Sequence, residues 1–330
     1  MPNLIHKNIS LKEYSNIKIG GEARYFLEFR NIDELKTGLA EWEKIKSIFT
    51  TPNPSSERRG TDRIFIISGA TNILFDDAGF DGLILKNSIS YIKKNDDNLL
   101  EVGAGTSVKE LNDYCIANSL SGLEWSGGLP GSVGGAVFGN AGAFGGETKD
   151  SVVEVESFDF DIGQIIKRDN SDCQFDYRQS IFKLEKLPEV ILSAKIQFKP
   201  GNKTEIAKLV EEHLDYRKLK QPLEYPNIGS IFKNIDVKVA NPELVERVRE
   251  KIKNDPFPVI PVAYLIFLAG LKGKKIGGAQ ISEKHPNMFI NTGEAKASDI
   301  KALIEIVKAE LLKMFGVQIE PEIRQLGREG

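Results

Sequence analysis

Nine glycines fall within the twenty residues 127–146, which read GGLPGSVGGAVFGNAGAFGG. Glycine loses more backbone freedom on folding than any other residue, so this density in a globular chain needs a reason. Three explanations are open: a disordered linker, a packed turn, or a surface where the main chain lies against a ligand. Linkers are rich in Ser, Lys and Glu rather than residues of buried type. Because Val133, Val137 and Phe138 interrupt these glycines, we expect the stretch to be anchored in a core.

Composition narrows the class of protein. The chain has 330 residues, 41% hydrophobic and 28% charged, as in a soluble globular protein of two or three domains. Its net charge of -3 gives no general attraction to nucleic acid or to an anionic membrane. Cys115 and Cys173 are far apart and form no CxxC, which argues against a disulfide framework and a metal site. We therefore expect a cytoplasmic protein without nucleic acid, membrane or obligate protein partners.

Periodicity predicts an α+β fold. Helices are predicted after the capping pairs Asn31/Glu34 and Ser107/Glu110, and over two apolar patterns. These patterns comprise Ile206, Leu209, Val210 and Leu214 in one helix and Ile300, Leu303, Ile304, Val307 and Leu311 in another. Strands are predicted at 63–68, 82–86, 99–104, 151–160 and 190–198. The polar stretch 50–62 is interpreted as a mobile surface loop, and a junction is predicted at 198–203.

Several loops were candidates for holding a phosphate. GAGTSV (103–108) has only the first part of a dinucleotide fingerprint, and no GKS or GKT marks a nucleoside-triphosphate loop. The turn in ISGATNIL (67–74) follows a predicted strand, and its small residues favour a nest of backbone N–H groups around an anion. Together with the glycine-rich stretch it suits a bulky ligand that has a pyrophosphate and a flat ring. Glycines packed for reasons of fold alone are the alternative.

Six motifs occur in the order found in one enzyme family. They are SGATNIL, SGGLPGSVGGAVFGNAGAFGGE, FDYRQSIFK, NIGSIFKN, LKGKKIGGAQISEKHPNMFIN and IEPEIRQLG, and YSNIKIGGEARYF precedes them. From about residue 14 to 327 the chain thus resembles the UDP-N-acetylenolpyruvoylglucosamine reductase (MurB) family. One departure is the first turn, SGATN, where the family usually has GGGSN. Ala70 with a positive φ is expected to be mildly strained.

The resemblance implies a domain organisation and a reaction. It implies a two-part FAD-binding domain of the vanillyl-alcohol-oxidase type over 1–200, with subdomains of about 1–88 and 89–200. A smaller α/β substrate-binding domain over 201–330 would follow, its last residues carrying a catalytic glutamate to the active site. The implied activity is NADPH-driven, FAD-dependent reduction of the enolpyruvyl group of a UDP-sugar, which makes UDP-N-acetylmuramate for peptidoglycan. A flavin oxidase of the same fold and a silent nucleotide-sugar binding protein are the alternatives.

The reaction needs a hydride donor, a polarised double bond and an acid. An arginine is the natural partner of the carboxylate next to the double bond, and Arg178 matches the family's catalytic arginine. Ser230 matches the serine that protonates the carbon, and Glu322 matches the catalytic glutamate, with Glu320 as a competing candidate. Predicted cofactor-binding residues are Gly69, Ala70, Thr71, Asn72, Gly131, Ser132, Gly135, Asn140 and Gly142. Predicted substrate-binding residues are Tyr177, Lys233, Asn234, Arg217, Lys218 and Gln280, with Lys284 a weaker candidate.

Overall fold

A computed structural model describes residues 3–49, 63–96, 98–185 and 187–327, so the loop predicted at 50–62 lies outside the described residues. Eight α-helices occur in these ranges: α1 Ile32–Phe49, α2 Val108–Ala117, α3 Val133–Gly139, α4 Ile181–Leu184, α5 Lys203–Lys220, α6 Pro242–Arg247, α7 Val262–Leu268 and α8 Ala297–Phe315. None of the helices described is both long enough and apolar enough to cross a membrane.

The strands vary in length from two to nine residues. They are β1 His6–Ser10, β2 Glu22–Phe29, β3 Ile64–Ile67, β4 Ile73–Phe75, β5 Phe80–Asn87, β6 Ile92–Lys94, β7 Leu99–Gly103, β8 Leu120–Ser121, β9 Gly142–Ala143, β10 Gly146–Glu147, β11 Val152–Asp159, β12 Gln164–Asp169, β13 Glu189–Gln197, β14 Lys199–Pro200, β15 Asn227–Ser230, β16 Ile235–Asp236, β17 Lys253–Asn254, β18 Pro258–Ile260, β19 Lys275–Ile276, β20 Ala279–Ile281, β21 Met288–Asn291 and β22 Arg324–Leu326. All five predicted strands are among them, and the predicted α+β class is confirmed.

The chain divides into two compact units that are not continuous in sequence. The first unit contains Met1–Ile9, Ala23–Gly69 and Asp81–Tyr216, and the second contains Ser10–Glu22, Ala70–Phe80 and Arg217–Gly330. This grouping does not follow the boundary expected at residue 200, because α5 belongs mostly to the first unit and two early segments join the second. The division into a cofactor domain and a substrate domain stays a prediction.

The first unit contains two sheets of four or five strands, in addition to the two-stranded pairings of β9 with β10 and of β8 with β14. One has the order β1-β2-β5-β3, and the other is an antiparallel sheet of order β12-β11-β13-β7-β6. Strand β13 is buried on both faces, since Val190 and Leu192 join the cluster around Trp42 while Ile191 and Ile196 join the cluster around Trp125. A strand covered on both faces has an almost unbroken apolar run, which is why 190–198 was recognised from sequence.

The second unit is built around one long helix. The stripe predicted on α8 is confirmed, because its five residues are at most 1% exposed. They pack in one cluster with Ile281 and Phe289 of the antiparallel sheet β15-β21-β20-β19. Ile17, Ile19 and Leu74 belong to the same cluster. Burial of each such side chain contributes about 1.5–3 kcal/mol, so these early segments are part of the core.

Helix starts agree with the predicted caps, and the apolar residues predicted on α5 differ in burial. The side chain of Asn31 accepts from the N–H of Glu34 (2.8 Å), and that of Ser107 accepts from Glu110 (3.0 Å). On α5 only Ile206 of the predicted apolar residues is buried, and Leu209 is 43% exposed. The predicted helix is confirmed, and Leu209, one of the apolar residues predicted to share a face of it, is exposed.

Candidate active site

The glycine-rich stretch folds into a capped helix in the first unit. The side chain of Ser132 accepts a hydrogen bond from the N–H of Gly135 (3.2 Å) and begins α3, which Asn140 ends with a φ of 42°. Val133 and Val137 are buried, and Phe138 packs against the same cluster. The stretch is thus anchored by its apolar residues, as predicted, and a linker is excluded.

The two loops predicted to hold a cofactor approach each other through their main chains. A Cβ placed on Gly69 would lie 2.9 Å from Cα of Gly131 and 3.3 Å from its carbonyl carbon. Backbone atoms cannot move aside as a flexible side chain can, so position 69 accepts only glycine without a shift of one loop. Both residues belong to the first unit.

The turn that follows Gly69 leaves several backbone N–H groups available. Ala70 has a φ of 46°, as expected, and is buried. Among the described residues, no acceptor receives a hydrogen bond from the N–H groups of Gly69, Ala70 or Thr71. The hydroxyl of Ser68 donates to the carbonyl of Asn87 (3.0 Å). Successive unused N–H groups in a turn with a left-handed residue are the geometry that binds an anion, so this turn fits a pyrophosphate.

Asn72 also has a structural role in the second unit. Its side-chain amide donates to the carbonyl of Glu322 (3.2 Å), and its own carbonyl accepts from the N–H of Arg324 (3.0 Å). These bonds extend the parallel pairing of β4 with β22. A residue predicted only to bind a cofactor therefore fixes the backbone of the predicted catalytic glutamate.

Ser230 and Glu322 lie on neighbouring segments of the second unit. The N–H of Glu322 donates to the carbonyl of Ile231 (2.7 Å), and Phe232 forms a bridge with Pro321. The side chain of Glu320 is 77% exposed, whereas Glu322 is half-buried. Burial makes Glu322 the better candidate of the two, because a solvated carboxylate is poorly positioned for catalysis.

Arg178 lies at the tip of a tight turn in the first unit. Asp176 and Gln179 exchange two backbone hydrogen bonds of 3.1 and 3.0 Å, and Arg178 between them has a φ of 56°. Its guanidinium carbon lies 4.9 Å from the centre of the Tyr177 ring. A positive φ is uncommon for a side chain of this size, and such strain often occurs at functional positions.

This turn is bonded to the glycine-rich stretch. The side-chain amide of Asn140 donates to the carbonyl of Asp176 (3.0 Å), and the hydroxyl of Ser180 donates to the carbonyl of Phe138 (2.7 Å). Nη2 of Arg178 donates to the carbonyl of Gly142 (2.7 Å). Asn140 and Gly142, predicted to bind the cofactor, are thereby brought together with the predicted catalytic arginine.

The predicted substrate-binding residues have different surroundings in the second unit. Nζ of Lys233 is 3.0 Å from Oε2 of Glu320. Asn234 accepts from the N–H of Val262 (3.3 Å), the first residue of α7, while Gln280 donates to the carbonyl of Gly273 (3.3 Å). These two bonds give Asn234 and Gln280 a structural explanation independent of any ligand.

The basic residues near the end of α5 also differ in exposure. Lys218 is exposed, and its carbonyl accepts from Nζ of Lys284 (2.7 Å). Arg217 is only 6% exposed, and burial lowers the pKa of its guanidinium to about 10. Arg217 therefore remains a cation at neutral pH inside the protein, where an anionic partner is favoured.

Two charged residues were missed by the sequence analysis. Glu147 is buried beside Arg178, and its only signal was its position directly after the glycine-rich stretch. Arg324 lies on β22, where burial lowers the pKa of its guanidinium. Neither residue belongs to a pattern that separates it from surface charges.

Comparison with known proteins defines the class of this chain. A family model described as FAD binding domain matches residues 58–168. A second model, described as UDP-N-acetylenolpyruvoylglucosamine reductase, C-terminal domain, matches residues 221–326. The chain is therefore a flavoprotein oxidoreductase, and the predicted fold class of an FAD-binding domain with a second domain is confirmed.

Individual relatives identify the family. UDP-N-acetylenolpyruvoylglucosamine reductase of Chlamydia trachomatis serovar A is 37% identical over 323 residues, which cover 98% of this chain and 96% of the relative. The enzyme of that name from Fervidobacterium nodosum is 39% identical over 316 residues, 96% of this chain and 90% of the relative. The crystal structure of the Thermus caldophilus enzyme matches with a TM-score of 0.72 at 26% identity, over 97% and 98% of the two chains. The chain belongs to the UDP-N-acetylenolpyruvoylglucosamine reductase family, as its motifs predicted.

Proposed function

We propose that this protein uses NADPH and FAD to reduce the enolpyruvyl group of UDP-N-acetyl-3-O-(1-carboxyvinyl)glucosamine, giving UDP-N-acetylmuramate. The observation that carries the proposal is the 37% identity over 98% of the chain to a reductase of this name. The local geometry of each predicted catalytic residue is compatible with it. A cytoplasmic location is part of the proposal, and two free, buried cysteines agree with a reducing compartment.

FAD would be held mainly by main-chain groups. The N–H groups of Gly69, Ala70 and Thr71 would contact its pyrophosphate, and the surface between Gly131 and Gly142 would lie along the cofactor. When bound, FAD supplies hydride transfer from NADPH to the double bond of the substrate. The protein's own residues would orient FAD and the substrate, stabilise the negative charge that develops on the substrate and supply the proton.

Arg178 would bind the carboxylate of the substrate. Hydride addition to the terminal carbon of the enol ether leaves negative charge on the carbon that carries the carboxylate. A guanidinium bound to that carboxylate delocalises and stabilises the charge, with two parallel N–H···O bonds as the strongest arrangement. Strain at Arg178, whose φ is 56°, agrees with a residue held in place for this purpose.

Ser230 would supply the proton. Its hydroxyl proton goes to the carbon next to the carboxylate, and the C–H bond forms as the O–H bond breaks. The serine oxygen then recovers a proton from Lys233 or from a bound water. Glu322, fixed through the 2.7 Å bond of its N–H to Ile231, would orient the reacting group. A positioned acid contributes about 10²–10⁴ in rate.

The nucleotide-sugar part of the substrate carries a diphosphate, which needs cations. Arg217, Lys218 and Lys233 are the proposed partners, since guanidinium and ammonium groups bind phosphate oxygens well. Tyr177, Asn234 and Gln280 are the remaining proposed contacts. The structural bonds of Asn234 and Gln280 leave part of each amide for such a role.

Anaerobic stopped-flow absorbance of the flavin tests the proposal. NADPH should bleach the flavin in wild type and in Ser230→Ala at similar rates. Addition of the enolpyruvyl substrate should restore the colour in wild type and should do so at least about 100-fold more slowly in Ser230→Ala. Ser47→Ala is the matched control, because Ser47 is exposed on α1 and its hydroxyl donates to the carbonyl of Lys44 (2.8 Å) in the same helix.

Other outcomes would contradict the proposal. Equal loss in both half-reactions of Ser230→Ala would refute the role of Ser230. Rapid reoxidation by oxygen without any response to the substrate would indicate a flavin oxidase. A colourless protein that takes up no added FAD would indicate a binding protein without redox activity.

A further inference from the structure

A carboxylate that the proposed mechanism does not use lies beside Arg178. The side chain of Glu147 is only 6% exposed, and its Oε1 is 4.0 Å from Nη1 of Arg178. Among the described residues Oε1 receives no hydrogen bond. Burying an ionised oxygen without a donor is costly, so this placement calls for a reason.

The second carboxylate oxygen of Glu147, Oε2, has polar partners. The Glu147 carboxylate accepts from the backbone N–H of Asp150, and the Asp150 carboxylate accepts in turn from the N–H of Glu147 at 2.7 Å. Nζ of Lys149 is 2.8 Å from Oε2. A Cβ on Gly142 would lie only 2.7 Å from Cγ of Glu147, so the glycine gives this side chain its space. Oε2 is thus fixed, and Oε1 is directed toward the arginine.

Arg178 is held at separate points by the same segment. Nη2 donates to the carbonyl of Gly142 at 2.7 Å, while Nη1 is the nitrogen near Glu147. The backbone of Arg178 is held as well, because its carbonyl accepts from Nζ of Lys183 at 2.7 Å. The hydrogen bond at Nη2 and the electrostatic attraction of Glu147 at Nη1 together favour one orientation of the guanidinium, because the group is rigid and flat.

We propose that Glu147 is a positioning residue that orients the Arg178 guanidinium for the substrate carboxylate. The proposal rests on the proposed function, in which Arg178 binds that carboxylate. The distance of 4.0 Å between Oε1 and Nη1 is longer than a hydrogen bond. Glu147 therefore attracts Arg178 without engaging it tightly, and a second carboxylate competes with it for the same cation.

The test compares variants in the two half-reactions of the flavin. Glu147→Gln keeps the shape of the side chain and removes its charge. NADPH should bleach the flavin at the wild-type rate, whereas reoxidation by the enolpyruvyl substrate should be about 10- to 100-fold slower, the effect of a misplaced catalytic group. Glu147→Asp keeps the charge but withdraws it from Arg178, and it should show the same selective loss.

A double-mutant cycle separates positioning from general damage. If Glu147 acts through Arg178, the double variant Glu147→Gln/Arg178→Lys should reoxidise no more slowly than Arg178→Lys alone. Glu189→Gln is the matched control: Glu189 forms a bidentate pair with Arg168, at 2.6 and 2.7 Å, in the same unit. That variant should affect both half-reactions equally or neither.

Each contrary outcome has a distinct meaning. Fully additive losses in the cycle, or an equal loss in both half-reactions of Glu147→Gln, would overturn the positioning role and leave the proposed function intact. A selective loss in Glu189→Gln would also overturn it, since any buried arginine partner would then have the effect. Unchanged reoxidation in Arg178→Lys and Arg178→Ala would refute the proposed role of Arg178 and this inference with it.

Discussion

Arg178 allows backbone strain to be separated from catalysis, because two substitutions remove the same guanidinium. Arg178→Ala and Arg178→Gly both lose the bond of Nη2 to Gly142 and the contact with the Tyr177 ring. They differ only in the Cβ atom, which Ala keeps in the left-handed region at a φ of 56°. The difference in stability between the two variants therefore combines the strain at this position with the greater freedom of glycine in the unfolded chain.

The size of that difference follows from opposing terms. A residue with a Cβ in the left-handed conformation costs about 1–2 kcal/mol relative to glycine. About 0.4–1 kcal/mol of this advantage is offset, because the unfolded chain has more conformational freedom when residue 178 is glycine. We expect Arg178→Gly to be more stable than Arg178→Ala by about 0.8 kcal/mol, the difference between the midpoints of these two ranges, while reoxidation of the flavin by substrate is lost equally in both.

Urea unfolding followed by circular dichroism measures the difference. Both variants should unfold with the same m value, so that a change of midpoint reports stability alone. The tight bonding of the turn through Asp176 and Gln179 should keep its conformation in both. If Arg178→Gly were equal to or less stable than Arg178→Ala, the turn would not be holding residue 178 in a strained conformation, and the reasoning would be wrong.

Further predictions concern buried groups and the loop contact. Burial, aided by Lys253, lowers the pKa of His285 to about 4. The imidazole of His285 therefore takes up a proton near pH 6.5 in the unfolded chain but only near pH 4 in the folded chain. Stability should fall by about 3 kcal/mol as pH drops from 6.5 to 4, and urea titrations should show a flatter dependence in His285→Asn. Burial raises the pKa of Cys115 to about 12 and that of Cys173 to about 11. Both thiols should resist Ellman's reagent until the protein is unfolded in guanidinium, and fast labelling of the native protein would contradict their burial. Gly69→Ala should weaken FAD binding at least about tenfold by flavin fluorescence, because the new methyl group would meet the backbone of Gly131 at 2.9 Å; unchanged affinity would show that the two loops can separate freely.

Sequence was sufficient wherever a pattern is local. The caps at Asn31 and Ser107 and the stripe on α8 need only residues a few positions apart, and all were confirmed. Ala70 was expected to have a positive φ because a family glycine is replaced, and its φ is 46°. Val133 and Val137 identified the glycine-rich stretch as folded because buried side chains and disorder exclude each other.

Features that depend on distant contacts were not predictable in the same way. The side chain of Asn72 donates to a carbonyl 250 residues later in the chain. Local sequence patterns therefore predicted only its role in binding a ligand and not its structural role. Glu147 has no neighbours in sequence that mark it as buried, since its exposure depends on Gly142 and Arg178. The exposure of Leu209 could not be predicted, because helical periodicity predicts a common face but does not say whether anything covers it.

Because β4 pairs with β22, the second unit cannot finish folding until nearly all of the chain has been synthesised. Asn72 and Glu322 are 250 residues apart, and the bond between Asn291 and Ile17 spans 274 residues. A ribosome adding about 5–20 residues per second needs roughly 10–50 s to cover such a separation. During that time Ile17, Ile19 and Leu74, each at most 2% exposed in the finished protein, have no core to enter. The nascent chain therefore leaves this apolar early segment without its partners, and the bond between the segments that carry Ser230 and Glu322 can form only after residue 322 has been made.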